Sequence, residues 1–140
     1  MKRRTPAQAT VFFVVMLPLF LAVAGLALDA GNLFVQRTQL QAIADAASRA
    51  GAIQVDEASL YSRADGVVRL DPTAAREAAM YYAMYNGALA EDVQANQSSV
   101  YVRMSRQVPT VFLRIVRITT MRIHAEATAR PRYGVDGVVG

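Results

Sequence analysis

The residues best suited to chemistry in this sequence are His124 and Glu126, which stand two positions apart in an alternating stretch. In a β-strand this spacing places both side chains on one face, where an imidazole and a carboxylate could share a proton or bind a metal ion. A zinc site needs further ligands, but the chain has one histidine and no cysteine. A solvated strand face is therefore the favoured interpretation, and we predict no metal site.

Short catalytic motifs give no stronger indication of an enzyme. The sequence contains no GxxxxGK[ST] phosphate loop, no HExxH and no GxSxG elbow. Asn96-Gln97-Ser98 matches the glycosylation sequon, which matters only in a host with that machinery. We therefore expect no catalytic residues, no cofactor and no small-molecule substrate.

The positive net charge of the chain does not indicate a nucleic-acid partner. Three of the fifteen basic residues lie in the N-terminal tail, which leaves twelve basic against eleven acidic residues downstream. A nucleic-acid-binding surface needs a basic patch, and this balance predicts none. The basic tail residues are better placed to meet anionic lipid and to fix topology. They are Lys2, Arg3 and Arg4.

Residues 9–28 form an uncharged, apolar run of membrane-spanning length. At about 1.5 Å per residue, such a helix spans roughly 30 Å, the thickness of a hydrocarbon core. Its valine, leucine and phenylalanine residues favour insertion by very roughly 4 to 7 kcal/mol. The run therefore predicts a single transmembrane helix, with Pro18 as a kink position.

The flanking charges predict the orientation of this helix. The basic tail precedes the run, and Asp29 is the first charged residue after it. The positive-inside rule then places residues 1–8 in the cytoplasm and all residues after Asp29 outside. We expect Asp29 to be a solvated interfacial carboxylate. A cleaved signal peptide ending at Ala22-Val23-Ala24 is the alternative, but the run is too long and continues past that point.

Residues 29–53 continue the helix outside the membrane. Apolar residues recur at helical spacing and form a stripe that packs closely, either on the protein's own domain or on a neighbouring subunit. The stripe consists of Leu33, Leu40, Ile43, Ala44, Ala47 and Ala50.

A second helix is predicted between residues 72 and 85. It follows a polar connector at 54–71, which carries a turn signal at Asp65-Gly66 and a possible short strand at Val67-Val68. Asp71 can cap this helix, Pro72 fits its first position and Asn86-Gly87 ends it. Its aromatic and methionine residues are either a core face or a partner surface. The candidate partner residues are Met80, Tyr81, Met84 and Tyr85.

Alternating patterns after residue 97 predict two strands. The first covers 98–104, with Val100, Val102 and Met104 inward and Ser105 on the outward face; the second covers 121–129. Between them, residues 109–116 predict a short helix with Val111, Phe112, Ile115 and Val116 inward. The expected fold is α+β and pilin-like, with a long N-terminal helix, a domain of two helices and a short antiparallel sheet at 72–130, and a loose tail at 131–140.

Particular residues give the sequence a resemblance to the TadE/TadG-like proteins of bacterial Tad (Flp) pilus-assembly systems. The match starts at residues 8–13 (QATVFF), runs through 26–31 (LALDAG) and is most specific at 40–52 (LQAIADAASRAGA). Residues 108–112 (VPTVF) and 125–129 (AEATA) resemble the family's extracytoplasmic ending.

The resemblance implies a minor pilin or pseudopilin in the cytoplasmic membrane that contacts lipid and other pilus-assembly subunits. In that setting the long helix and its alanine stripe would pack beside other pilin-like helices. Pilin precursors carry glycine at the processing site and glutamate five residues later; here these positions are Ala7 and Phe12. The candidate processing junction, Ala7-Gln8, thus departs from the pattern. The alternative function is a signal-anchored extracytoplasmic binding module unrelated to pili.

Overall fold

The protein has the α+β fold predicted from the sequence, with one long helix ahead of a small sheet. The computed structural model describes residues 6–61 and 69–131. In the described residues a three-stranded antiparallel sheet has the order β1-β2-β3. The elements are α1 (Pro6–Ala52), α2 (Glu57–Tyr61), α3 (Pro72–Tyr85), β1 (Leu89–Ala95), β2 (Val100–Pro109), a 3-10 helix (Leu113–Val116) and β3 (Thr120–Ala129).

The chain divides into two compact units, and α1, β2 and β3 each contribute to both. The anchor unit comprises Met1–Val35 and Gln107–Met121. The sheet unit comprises Gln36–Arg106 and Arg122–Gly140.

In the anchor unit, α1 carries the apolar run that the sequence assigns to the membrane. Among the described residues it is the one helix long and apolar enough to cross a bilayer. Most of the large apolar side chains of the run are more than half exposed, as expected where lipid replaces protein as the surrounding medium. Phe20, for example, is 70% exposed.

The sheet unit is built around small side chains on two helices. Leu40, Ala44 and Ala47 of α1 are fully buried in one cluster with apolar residues from α3 and the sheet. Alanines let helix backbones approach closely, so most of the core comes from many short side chains rather than a few large ones. The other fully buried members among the described residues are Leu70, Ala75, Ala79, Ala83, Val100, Val102 and Met104.

Helix α3 has the boundaries that its local signals predict. One carboxylate oxygen of Asp71 accepts hydrogen bonds from the backbone N–H groups of Thr73 and Ala74, at 2.9 and 3.2 Å. Pro72 occupies the first turn, where a missing N–H costs nothing. After Asn86, Gly87 adopts a positive φ of 66°, the left-handed conformation that favours glycine at a helix end.

The sheet contains one strand that the sequence patterns did not predict. β1 pairs antiparallel with β2, and its register shifts between Ala90 and Asp92. Glu91 therefore lies at a β-bulge, which breaks the alternation by which a strand is recognised. At the connector, Val55 and Leu70 form an isolated antiparallel bridge. The predicted turn at 65–66 and the strand at 67–68 lie outside the described residues.

The predictions for the end of β2 and for the segment after it are wrong. β2 does not end at residue 104 but continues to Pro109, and Ser105, which was expected to face outward, is buried. The predicted helix at 109–116 is only a four-residue 3-10 helix. Its expected inward residues, Val111, Phe112, Ile115 and Val116, are all exposed. Helical spacing indicates that apolar residues share a face, but it does not indicate what covers that face.

Gly51 tests the close packing of α1 in the sheet unit. A Cβ atom there would lie 2.7 Å from the backbone oxygen of Ala75 and 3.0 Å from Cγ1 of Val100. We expect Gly51→Ala to lower the free energy of unfolding by about 1–3 kcal/mol, despite its better helix propensity. Gly31→Ala is the matched control, because no neighbouring atom lies within 4 Å of its added Cβ. Chemical unfolding in detergent micelles measures both, and equal effects would contradict the close packing.

Candidate functional site

His124 is part of a polar cluster on the sheet, formed around the bulged Glu91. Nδ1 of His124 lies 3.3 Å from Oε2 of Glu91, and Nε of Arg103 lies 3.9 Å from the same oxygen. The hydrogen bond from the Ser105 hydroxyl is the main cause that holds the pKa of Glu91 below its ordinary value. Burial opposes this shift, and His124 and Arg103 support it. The bulge thus turns Glu91 towards these partners.

Glu126, the other predicted member of the pair, has a different partner. The Tyr101 hydroxyl donates a 2.8 Å hydrogen bond to Oε2 of Glu126. This bond to a carboxylate is the first cause that raises the pKa of Tyr101, and burial adds to it. His124 and Glu126 are both exposed, on the strand face opposite the buried Ala125. Their recorded side-chain interactions are with other residues, and the two are not joined in one site.

These contacts are those of a sheet surface stabilised by cross-strand pairs. Among the residues that the structure describes, no group of three His, Cys, Asp or Glu side chains could hold a metal ion. A separate open groove of about 860 Å³ is lined by Asp45, Ser48, Arg49, Thr128, Ala129 and Arg130. It includes neither His124 nor Glu91. This groove is therefore separate from the pair of His124 and Glu91.

Asp29 is the residue whose role the sequence interpretation missed. We expected a solvated carboxylate, but Asp29 is 2% exposed. Its Oδ1 accepts the backbone N–H of Val111 at 2.9 Å. Its Oδ2 accepts those of Phe112 and Leu113, at 2.9 and 2.7 Å. Three N–H groups that lead into the 3-10 helix thus converge on one carboxylate, in the manner of a helix cap supplied from a distant part of the chain.

The hydrogen bonds to Asp29 outweigh the cost of burying its charge. Burial alone would raise the pKa of the carboxyl, but the N–H groups of Leu113, Val111 and Phe112 together hold it below the ordinary value. An unfolded aspartate titrates at about 3.9. Because the folded pKa is lower, the stabilisation is complete above that pH and is lost as pH falls through the folded pKa.

The sequence carried only a weak signal for this role. Asp29 is the first carboxylate after the apolar run, within the segment 26–31 that resembles the TadE/TadG-like pattern. Nothing local indicates that its partners lie more than eighty positions later. A long-range contact of this kind depends on the path of the chain, which periodicity does not supply.

The predicted packing stripe and partner surface differ in exposure. Leu40, Ala44 and Ala47 are buried in the sheet unit's own core, while Leu33, Ile43 and Ala50 are half-buried. The four candidate partner residues of α3 are exposed, with Met84 at 69% and Tyr85 at 79%. The rings of Tyr81 and Tyr85 stack with their centroids 6.2 Å apart. We call Met80, Tyr81, Met84 and Tyr85 the α3 surface.

The N-terminal candidate residues are only partly within the described structure. Lys2, Arg3 and Arg4, predicted to fix topology, lie outside it. Helix α1 begins at Pro6, so the backbone at the Ala7-Gln8 junction is already helical. The orientation and the processing of this end remain predictions.

Replacing Asp29 with asparagine tests the convergence of N–H groups on the carboxylate. Asparagine keeps the shape but has one acceptor oxygen, so at least one of the three N–H groups loses its partner. We expect hydrogen exchange of the Val111–Leu113 amides to accelerate by about tenfold, the effect of one lost hydrogen bond to a charged group. Asp45→Asn on the same helix is the control. Unchanged exchange in Asp29→Asn would contradict the contact.

Of the comparisons with known proteins, one gives a match, and it covers the N-terminal part of the chain. Residues 7–54 match the family model described as putative Flp pilus-assembly TadE/G-like. No curated protein and no solved structure matches the chain. The matched segment includes the apolar run, Asp29, and the core residues Leu40, Ala44 and Ala47. The chain is thus similar, over residues 7–54, to the TadE/G-like family of putative Flp pilus-assembly proteins.

Proposed function

We propose that this protein is a minor pilin- or pseudopilin-like component of a Tad (Flp) pilus-assembly system that acts through protein contacts. The observation that carries the proposal is the family match at residues 7–54. Residues 7–52 of that segment belong to α1, which supplies both the membrane-length apolar run and part of the sheet-unit core. The same helix therefore contributes both to the proposed anchor and to the core of the folded domain.

The proposed location is the bacterial cytoplasmic membrane, with a single pass through the bilayer. The basic residues Lys2, Arg3 and Arg4 favour a cytoplasmic N-terminus by the positive-inside rule. The sheet unit then lies outside, where a pilus subunit or an assembly factor meets its partners. The near-balance of charge after the tail is consistent with protein partners rather than nucleic acid.

The α3 surface is the proposed contact for another assembly subunit. Methionine and tyrosine are enriched at protein interfaces because they bury large areas, and the tyrosine hydroxyl tolerates a wet rim. The buried alanines of α3 face the core, which leaves the large side chains of the α3 surface outward. The stripe residues Ala44 and Ala47 are fully buried in the protein's own core, so a partner helix has no access to them.

A role without catalysis is part of the proposal. The interactions of His124 and Glu126 are those of a paired sheet surface, with Glu91 and Tyr101 as their partners. A general base near an accessible pocket would favour an enzyme, and the groove at Asp45 contains neither of these two residues.

Photo-crosslinking from the α3 surface tests the proposed function. A benzophenone amino acid in place of Met84, introduced in cells that assemble the pilus, should form an adduct with another pilus-assembly subunit. The same group in place of Ser98, an exposed residue in the polar turn between β1 and β2, is the control. We expect Tyr81→Ser combined with Met84→Ser to reduce assembly without lowering the amount of membrane-inserted protein.

Two results would overturn this assignment. Equal adducts from the Met84 and Ser98 positions would show that the α3 surface is not a specific contact. Normal pilus assembly in a strain that lacks the whole protein would contradict the assembly role itself.

A further inference from the structure

The segment from Val111 to Ile118, which we call the β2–β3 loop, is held against the part of α1 assigned to the membrane. Its first residues are bound by Asp29, directly after the apolar run. One helical turn earlier, the ring of Phe112 fills the space beside Gly25, where an added Cβ would lie 2.3 Å from Cδ1 of that ring. Gly25 and Asp29 are four positions apart on the helix, so the Phe112 ring lies about 6 Å closer to the centre of the span than Asp29 does.

The β2–β3 loop exposes apolar side chains at this level of the helix. Ile115 is 79% exposed and Val116 is 65% exposed, and Val111 and Ile118 are also exposed. A monomeric protein in water seldom exposes so many apolar side chains next to one another. The neighbouring face of α1 is likewise exposed and apolar through Leu26 and Leu28. The helix and the loop thus present apolar surface within the same unit of the protein.

Most backbone N–H groups of the loop form hydrogen bonds within the protein. The N–H groups of Val111, Phe112 and Leu113 bind Asp29, and that of Thr110 binds the carbonyl of Thr119. The N–H groups of Ile115, Arg117 and Ile118 bind carbonyls inside the loop. The Thr110 hydroxyl also donates to the carbonyl of Ile118. Unpaired N–H groups are costly in lipid, so internal pairing of this kind is what insertion requires.

The charges of the loop suit lipid headgroups. Arg114 and Arg117 lie within it, and no carboxylate occurs between residues 107 and 121. Neither guanidinium forms a salt bridge with a carboxylate of the described residues. Arg117 has a φ of 67°, where glycine would be less strained, so the cation occupies a conformationally costly position. The guanidinium group of an arginine beside an apolar surface can extend to lipid phosphates while its aliphatic stem and the neighbouring apolar side chains stay among the acyl chains.

We propose that the β2–β3 loop is a second membrane-contacting element, inserted in the leaflet on the Asp29 side of the span. Ile115 and Val116 lie among the acyl chains, and Arg114 and Arg117 reach the lipid phosphates. Asp29 and Gly25 fix the depth of the loop by binding it to α1. The proposal depends on insertion of the apolar run and does not depend on the role in pilus assembly.

Fluorescence quenching in vesicles tests this assignment, and the natural absence of cysteine makes single labelling straightforward. The full chain carrying Ile115→Cys, labelled with an environment-sensitive dye, is reconstituted in vesicles of phosphatidylcholine and phosphatidylglycerol that contain nitroxide-labelled acyl chains. Phe20→Cys in the span is the positive control, and Ser98→Cys is the aqueous control. Val116→Cys provides a second loop position. We expect the lipid nitroxide to quench both loop labels several-fold more than the Ser98 label.

The controls separate failure of this inference from failure of the anchor. Quenching at Phe20 without quenching at Ile115 and Val116 would overturn loop insertion and leave the anchor in place. Loop labels that are shielded from an aqueous quencher but unaffected by lipid nitroxide would also overturn it, because a second protein surface would then cover the loop.

Discussion

The anchor unit depends on one buried carboxylate. Asp29 binds three consecutive N–H groups of a segment more than eighty residues away, so a single side chain joins two distant parts of the chain within this unit. Closing a long loop is entropically costly, and three charge-assisted hydrogen bonds are an effective way to offset that cost. The contact also seats Phe112 beside Gly25 and directs the apolar residues after it outward. Asp29 thus joins the β2–β3 loop to α1, and hydrogen bonds inside the loop complete its arrangement.

The sheet unit uses its apolar residues in a different way. Its core is made largely of alanines, which let α1 and α3 pack closely and leave the large side chains of α3 outside. The family match at residues 7–54 includes the alanine-rich end of α1, where Ala44 and Ala47 are buried in the protein's own core. On α3, by contrast, large methionine and tyrosine side chains are exposed.

The sequence predicts correctly those elements whose boundaries depend on neighbouring residues. Helix α3 matches its expected boundaries because Asp71, Pro72 and Gly87 each act within a few residues of themselves. β3 matches because its alternation is uninterrupted. β1 was missed because the bulge at Glu91 breaks its alternation, and the 109–116 helix was wrong because apolar spacing was taken to mean burial. The role of Asp29 could not be predicted, since its partners are determined by the path of β2 and β3 rather than by neighbouring residues.

The most direct test of the Asp29 contact is a pH titration of backbone amide chemical shifts in detergent micelles. The amides of Val111, Phe112 and Leu113 should titrate together, with a midpoint below the roughly 3.9 of an ordinary aspartate. The same amides should not respond in the Asp29→Asn variant. Amides that titrate at the ordinary aspartate value, or that still respond in the variant, would contradict the account.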